Sequence, residues 1–164
     1  MALIAVTTVL CKQRMAEAVG GIISGALSPG LADRAILPVF YQLGETLLPL
    51  VPPDPTRTAL VDIAPFQKAL TAADIAVIVP PGVVVAGSLA VPAGIVVATT
   101  VLRVRMFADV NEAVFGPAKL LDEVGVFCQF GVGLNPAELM VYGTMPAFAK
   151  SAGLTVDFTL DVKF

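Results

Sequence analysis

The last ten residues of the chain alternate strictly between apolar and polar positions. The apolar positions are Val156, Phe158, Leu160, Val162 and Phe164, and the polar positions are Thr155, Asp157, Thr159, Asp161 and Lys163. A period of two places successive side chains on opposite faces of a β-strand. The segment is therefore predicted to be a half-buried antiparallel strand, with its apolar side chains in the core and its polar side chains in water.

A second alternating segment, Thr100–Met106, offers a partner for that strand. It carries Arg103 and Arg105 on one face and aliphatic side chains on the other. Antiparallel pairing of the two segments would set Asp157 and Asp161 against these arginines. Opposite charges across two strands contribute about 0.2–1 kcal/mol for each pair. The pattern therefore predicts both the pairing and a ladder of ion pairs.

The start of the chain predicts one helix. Thr7 or Thr8 can cap a helix over Val9–Val19, which is rich in residues that favour helix. Gly20–Gly21 ends it, because glycine is favoured just after a helix. The apolar run before this helix has no basic residues in front of it, so we expect mature chain rather than a signal peptide.

A strand, a proline-rich arm and a second, short helix are predicted next. Ile36–Leu43 has the composition of a strand. Pro49–Thr56 contains four prolines in eight residues, which favours an extended, solvated, polyproline-like arm. Ala59–Leu70 is predicted to hold a short helix, whose length Pro65 limits.

The run from Ile75 to Leu102 contains no charged residue and is long enough to cross a bilayer. Prolines and glycines interrupt it six times, and such residues disfavour a membrane-spanning helix. Between the interruptions lie Val83–Val85 and Ile95–Val97, which are β-branched and suit strands. We therefore expect strands joined by turns, with no insertion into a membrane.

The composition indicates assembly with other protein chains. Hydrophobic residues make up 57% of the chain and charged residues 14%, against about 45–50% and about 25% in ordinary soluble domains. So few charges cover a monomer's surface poorly, and some apolar surface should therefore face another protein or a membrane. The formal net charge is −3 and the cations are scattered, so we expect no nucleic-acid partner.

Few residues are suited to catalysis or metal binding. The chain has no histidine, which removes the commonest general base and the usual zinc ligand sets. Asp122 and Glu123 are adjacent, so on a strand they point to opposite faces and are expected to be charges at a turn or strand edge. Cys11 and Cys128 are expected to be buried and reduced. We expect no enzymatic activity, no cofactor and no metal.

These elements predict a mainly β, α+β fold. Its form would be an antiparallel β-sandwich-like domain with an N-terminal helix and a proline-rich arm. The length of 164 residues suits a single structural domain over residues 1–164. The arm and the loops around Gly82 and Gly131 are the expected contact elements, because docking surfaces usually lie on loops held by a rigid scaffold.

Two stretches of the sequence resemble the N-terminal domain of bacteriophage tail-collar fibre proteins. The stronger one begins with Glu123–Phe127, an acidic residue followed by a small apolar residue, glycine and an aliphatic–aromatic pair. A hydrophobic strand (Leu139–Gly143), a proline, Lys150 and the final alternating strand follow. Nearer the start, a helix leads to a strand and glycine (Val39–Gly44), a proline-rich loop and Thr56–Leu60. The middle of the chain matches least.

The resemblance implies a non-catalytic virion structural protein of a phage tail or baseplate. The implied partners are other tail, baseplate or fibre proteins and further copies of the chain, with a trimer favoured. The implied location is the virion tail, after assembly in the host cytoplasm. The residues expected to serve assembly are Glu123, Gly125, Phe127, Lys150, Pro52 and Pro53.

Two of these residues have a local physical prediction. Gly125 inside a strand indicates a bulge or a close approach of the backbone. Glu123 on an apolar strand needs a cationic or backbone partner, and Lys150 is one candidate. In the family this domain usually precedes a fibre shaft, whereas this chain ends at Phe164, which favours an adaptor over a whole fibre. The alternatives are a head decoration protein, a membrane-associated protein and a small-molecule-binding β domain.

Overall fold

The computed structural model describes residues 4–20, 22–23, 26–27, 36–46, 52–110, 112, 119–131 and 136–164. Within these ranges it contains one α-helix and eleven β-strands, which confirms the mainly β, α+β class. The chain forms two compact units. The first comprises Met1–Ala69 and Asp122–Pro146, and the second comprises Leu70–Leu121 and Ala147–Phe164.

The helix α1 spans Val9–Gly20, and a 3-10 turn spans Ala72–Asp74. The strands are β1 (Ile4–Thr7), β2 (Ile22–Ile23), β3 (Ala26–Leu27), β4 (Ile36–Gly44), β5 (Phe66–Ala69), β6 (Ile75–Val79), β7 (Val83–Gly87), β8 (Val101–Ala108), β9 (Lys119–Phe130), β10 (Glu138–Lys150) and β11 (Val156–Lys163). Among the described strands, β2 and β3 form a separate two-stranded sheet.

In the first unit, Thr8 caps helix α1, as the sequence predicts. The backbone N–H of Cys11 donates to the Thr8 hydroxyl oxygen at 3.0 Å. That hydroxyl donates in turn to the Leu139 carbonyl at 2.9 Å, which ties the helix start to β10. Further along the helix, Arg14 donates to both carboxylate oxygens of Glu138 at 2.9 and 2.8 Å. The predicted helix is thus confirmed and is fixed against β10.

The first unit is built on a five-stranded sheet in the order β1-β10-β9-β4-β5. Strand β9 lies at its centre, and residues 121–128 are buried without a break. The predicted strand at 36–43 is confirmed as β4, which pairs with β9 and β5. Its register with β9 shifts between Pro38 and Phe40, at a proline that has no N–H for the sheet.

The predicted helix over Ala59–Leu70 is wrong. Residues 59–65 form a loop, and Phe66–Ala69 is the edge strand β5. Pro65 favours extended backbone in the residue before it, which suits the approach to a strand. Phe66 is buried and its ring lies edge-on to Tyr41, with 6.2 Å between centroids. Burial of one aromatic side chain on the sheet therefore outweighs local helix propensity.

The proline-rich arm is only partly the solvated segment that its composition predicts. Pro49, Leu50 and Val51 lie outside the described residues. Pro52 is exposed, as expected, but Pro53 is buried. The Pro55 carbonyl accepts the backbone N–H of Val9 at 2.8 Å. Asp54, Pro55 and Thr56 are exposed, so the arm is held at Pro53 and by the Val9 bond while most of its described residues remain solvated.

The second unit contains a four-stranded antiparallel sheet in the order β11-β8-β6-β7. The predicted pairing of the C-terminal strand is confirmed: Asp161 lies opposite Arg103 and Thr159 opposite Arg105. Arg103 binds the Asp161 carboxylate through two hydrogen bonds of 2.7 and 2.6 Å. Arg105 reaches diagonally to Asp157 with bonds of 2.9 and 2.7 Å.

The alternating C-terminal pattern holds except at its last residue. Leu160 and Val162 are buried and Val156 and Phe158 half-buried, with exposed polar residues between them. Phe164 was expected in the core but is exposed. It lies just past the end of β11, where its backbone N–H still donates to the Thr100 carbonyl at 3.0 Å while its side chain remains in solvent.

The uncharged run forms strands and loops, as predicted, although one of its two predicted strands is absent. Val83–Val85 lies within β7, whereas Ile95–Val97 belongs to a loop. Val97 still packs on a core cluster of Ala76, Ile78 and Val101. No helix among the described residues is long and apolar enough to cross a membrane.

Candidate functional site

Three of the sequence-predicted assembly residues share one face of β9. Glu123, Gly125 and Phe127 are spaced by two and so point the same way. Leu139 and Tyr142 of β10 complete this surface. We call these five residues the seat. We call residues 52–64 the latched loop, because Leu60 packs on the seat and the backbone of Val61 and Asp62 bonds to it.

Glu123 holds the latched loop through its backbone. Its side chain is fully buried. Its carboxylate accepts the N–H groups of Val61 and Asp62 at 3.0 and 2.7 Å, and the Tyr142 hydroxyl at 3.0 Å. The predicted backbone partner is thus confirmed, and Lys150 is not its partner. These three hydrogen bonds replace the ones that an exposed carboxylate would make to water.

Asp122, the neighbour of Glu123, serves another segment. It accepts the Thr46 backbone N–H at 2.6 Å and the Thr46 hydroxyl at 2.7 Å. The expectation that both acids are exposed at a turn or strand edge is wrong, since Asp122 is 8% exposed and Glu123 0%. The reason is that β9 is an interior strand, so its acids are buried and must be bonded.

Asp62, near the C-terminal end of the latched loop, extends this network. Its carboxylate accepts the backbone N–H groups of Glu45 and Ala64 at 3.1 and 2.8 Å. Gly44 makes room for the arrangement: a Cβ there would lie 2.6 Å from a Glu123 carboxylate oxygen and 2.7 Å from the Asp62 Cβ. The three acids thus act as acceptors for backbone N–H groups.

Gly125 leaves space for a leucine of the latched loop. A Cβ at this position would lie 2.5 Å from Leu60 Cδ1 and 2.7 Å from Leu139 Cδ1. The predicted close approach is therefore made by side chains, and the register shift of β9 with β4 lies elsewhere. Leu60 is buried there in a cluster with Phe127, Leu139 and Tyr142.

Aromatic rings close the sides of the seat. Phe127 stacks on Phe40 with 4.7 Å between ring centroids and an angle of 16°. The guanidinium of Arg57, from the latched loop, lies 5.9 Å from the centroid of the Tyr142 ring. Burial, and next the Glu123 carboxylate, raise the pKa of Tyr142. Its hydroxyl therefore remains a donor to Glu123 at neutral pH.

The latched loop begins with a turn that sets its direction. Asp54 accepts the backbone N–H of Thr56 at 2.9 Å and the Thr56 hydroxyl at 2.7 Å. These bonds lower the pKa of Asp54, with the backbone bond contributing most. Near the C-terminal end of the loop, the Ile63 side chain is fully exposed. The loop is therefore fixed through its backbone and displays an isolated apolar side chain.

Lys150 belongs to the second unit and has a separate role there. Its side chain is fully buried. Its ammonium group donates to the carbonyls of Asp109 and Ser151 at 3.1 and 2.7 Å. It thereby joins the residues that follow β8 and β10. These two bonds are made to backbone carbonyls.

The second unit also carries an apolar strand at a sheet edge. All five residues of β7 are exposed, and Val83, Val84 and Val85 are 53%, 39% and 57% exposed. The strand begins after a turn in which the Gly82 N–H donates to the Val79 carbonyl at 2.7 Å. A Cβ at Gly82 would overlap the Ile95 carbonyl, and its φ is +101°, so glycine is required there.

The described residues offer little chemistry of other kinds. They contain no group of three or more histidine, cysteine, aspartate or glutamate side chains placed to hold a metal ion. Cys11 and Cys128 are buried and free, in a helix and a strand as predicted. Burial raises the pKa of both thiols, that of Cys128 to about 12, where the neighbouring Cys11 contributes further.

The sequence does not predict some parts of this site. Tyr142 and Asp62 complete the bonding around Glu123, but neither stands near it in the sequence. A buried carboxylate needs several hydrogen-bond donors, and this requirement is the feature of the sequence that could have pointed to such partners. The exposure of β7 also escaped, because three consecutive valines suggest a strand buried on both faces.

No family model matches this chain, and neither a curated protein nor a solved structure matches it significantly. The likeness to phage tail-collar proteins therefore rests on the residues quoted for it. In this structure the five residues of the seat all come from the stretches quoted for it, Leu120–Phe130 and Leu139–Gly143.

Proposed function

We propose that this protein is a non-catalytic structural subunit of a bacteriophage tail or baseplate, where it docks or links tail fibres as an adaptor. Its partners are other tail, baseplate or fibre proteins and further copies of itself, with three-fold symmetry favoured by the resemblance. It is assembled in the host cytoplasm and retained in the virion tail.

The observation that carries the assembly role is the apolar surface that the fold leaves open. β7 has no charged residue, and all five of its residues are exposed. A soluble monomer normally avoids such an edge, because a bare strand pairs with other chains. In a subunit whose edge strand is covered by a neighbouring chain, an uncharged apolar edge does not lead to unwanted pairing and can be retained.

The latched loop supports the same proposal from the first unit. Its backbone is fixed by Glu123, Asp62 and Val9. Ile63 stands fully exposed at one end, and Pro52 is exposed at the other. A loop held in one conformation loses little entropy on docking, which favours binding. Glu123, Gly125 and Phe127 would then serve assembly indirectly, by holding the loop.

Immunogold labelling tests the location directly. A tag on the exposed Lys163–Phe164 end, in virions of the phage that encodes the chain, is visualised by negative-stain microscopy. We expect gold at the tail or baseplate. Label over the capsid would indicate a head decoration protein. Label only in host membranes or in the soluble fraction, with bare virions, would contradict a virion role.

A further inference from the structure

We propose that β7 pairs, antiparallel and about a two-fold axis through Val85, with β7 of a second copy of this chain. The inference rests on the proposed assembly function and names one contact by which assembly takes place. It follows from three features of β7: its open edge, its lack of charge and its residue order.

The outer edge of β7 is open for pairing. β7 is the last strand of its sheet, and β6 is its sole neighbour among the described residues. An edge strand presents a row of backbone N–H and C=O groups that a further strand can bind. Such strand addition is a common mode of protein recognition, in which the main-chain bonds supply affinity.

β7 carries no charged residue that would repel another strand, although its register with β6 shifts at Val85. Natural edges are usually guarded by charged residues, and the nearest charges in the chain are Asp74 and Arg103. The opposite edge of the same sheet is guarded, since β11 carries Asp157, Asp161 and Lys163. The unguarded edge calls for an uncharged, apolar partner strand, and β7 itself has that character.

The order of residues in β7 suits pairing with itself. In a two-fold antiparallel pair centred on Val85, Val83 lies opposite Gly87 and Val84 opposite Ala86. Each larger side chain then faces a smaller one, and only the central pair is valine with valine. Val85 also lacks a residue opposite it on β6, because the β6–β7 register shifts at this point. Its side chain is accordingly the most exposed of the three valines.

The proposed pairing has a consequence for the number of chains. A two-fold contact joins copies in pairs. A ring with the three-fold symmetry that the resemblance favours would then contain six chains rather than three. The count of chains in the particle therefore distinguishes this contact from a simple trimer.

Two substitutions at Val85 test the contact in the full chain. Val85→Lys places two ammonium groups opposite each other at the axis, whereas Val85→Thr keeps a β-branched, uncharged residue. Both side chains fit an exposed position, so both variants should fold and should unfold cooperatively in urea. By light scattering we expect an even number of chains for wild type and Val85→Thr, and half that mass for Val85→Lys.

Cysteine cross-linking tests the register even if a lysine variant folds poorly. Opposite Cα atoms in an antiparallel pair lie about 4.5–5.5 Å apart, within the range of a disulfide. Val85→Cys should therefore form a covalent dimer with oxidised glutathione, which is reduced to two thiols as the disulfide forms. Val83→Cys is the matched control, because two such residues would lie about 14 Å apart.

Several results would overturn the pairing. One is an unchanged mass for Val85→Lys, and another is a wild-type particle of three chains. Equal cross-linking at positions 83 and 85 would reject the register. If such results come from a wild-type chain that is still oligomeric, the assembly function stands and only the β7 contact fails. A wild-type monomer at all concentrations would remove the β7 contact and self-assembly, and the immunogold experiment would then decide the virion role on its own.

Discussion

The seat buries a charged side chain, whereas the β7 edge exposes apolar side chains to solvent. In the seat a charged carboxylate, that of Glu123, is fully buried, and three donors compensate for the lost water. In β7 three valines stand in solvent at an edge that carries no charge. The seat is complete within one chain. The outer edge of β7, in contrast, is covered when a strand from a second chain is added.

This difference separates two kinds of contribution to function. The seat fixes the conformation of the latched loop, so its residues should determine the stability of the free chain. The β7 edge adds little to that stability, because its side chains are already exposed. It should instead determine association. Substitutions in the two regions are therefore expected to change different measurements.

The largest effect is expected from Glu123→Ala. The substitution leaves two backbone N–H groups and the Tyr142 hydroxyl without an acceptor. A buried donor without an acceptor costs about 1–3 kcal/mol, so the free energy of unfolding should fall by at least ~3 kcal/mol. Urea unfolding measures this. Ile63→Ser, in the same loop but fully exposed, should change it by less than ~0.5 kcal/mol.

Limited trypsin digestion provides a second readout of the same variant. In the native chain Arg57 lies in the latched loop, with its guanidinium over the Tyr142 ring. Loss of the Glu123 bonds should release the loop and speed cleavage after Arg57. Glu123→Gln, which keeps one acceptor oxygen, should give an intermediate rate. If cleavage after Arg57 were equally slow in all variants, Glu123 would not be what holds the loop.

Gly125→Ala should have a smaller effect that depends on a specific neighbour. The added methyl group would overlap Leu60 and Leu139, and overpacking of a core costs about 1–3 kcal/mol. Leu60→Ala removes one of these contacts, so the double variant should lose less stability than the sum of the two single variants. Gly153→Ala, where the added atom meets nothing within 4 Å, is the control. Simple additivity would argue against a shared site.

The smallest effect concerns the charged edge that contrasts with β7. Hydrogen bonding to Arg105 lowers the pKa of Asp157, so the folded chain keeps this carboxylate ionised to lower pH than the unfolded chain does. The resulting stabilisation is present above the unfolded pKa of about 4 and is lost as pH falls through the folded value. Because the pair is exposed, it should contribute about 0.2–1 kcal/mol.

Asp157→Asn tests this pair. It should lower the urea midpoint slightly at pH 7, and the variant and wild type should converge as pH falls below the lowered pKa of Asp157. The same substitution should leave the number of chains unchanged, since the proposed contact lies at the other edge of the sheet. A change in mass would mean that β11 also takes part in assembly.

Local patterns in the sequence predict the parts of the fold in which each residue's environment follows from its neighbours. The Thr8 cap predicts α1, and the alternation in β8 and β11 predicts their pairing and its ion pairs. The prediction fails where tertiary contacts outweigh propensity. Phe66 is buried on the sheet, and the predicted helix at 59–70 is replaced by a loop and the short strand β5.

The candidate site is predictable only in part, for a related reason. The spacing of Glu123, Gly125 and Phe127 identifies one face of a strand, and the carboxylate's need for a partner is evident from its apolar surroundings. Which partner it finds depends on the path of a loop some 60 residues away in the chain, at Val61 and Asp62. Sequence spacing carries no information on that path. Lys150, the candidate that seemed suitable by charge, bonds to Asp109 and Ser151 instead.

The central claim, that this chain functions by being built into an assembly, is tested most directly by the mass of the purified wild-type chain. Light scattering coupled to size-exclusion chromatography, over a hundredfold range of concentration, measures that mass. One chain has a mass of 16.9 kDa. The account predicts a stable particle containing several chains, in an even number if β7 pairs as proposed. A monodisperse species of 16.9 kDa at every concentration would contradict self-assembly.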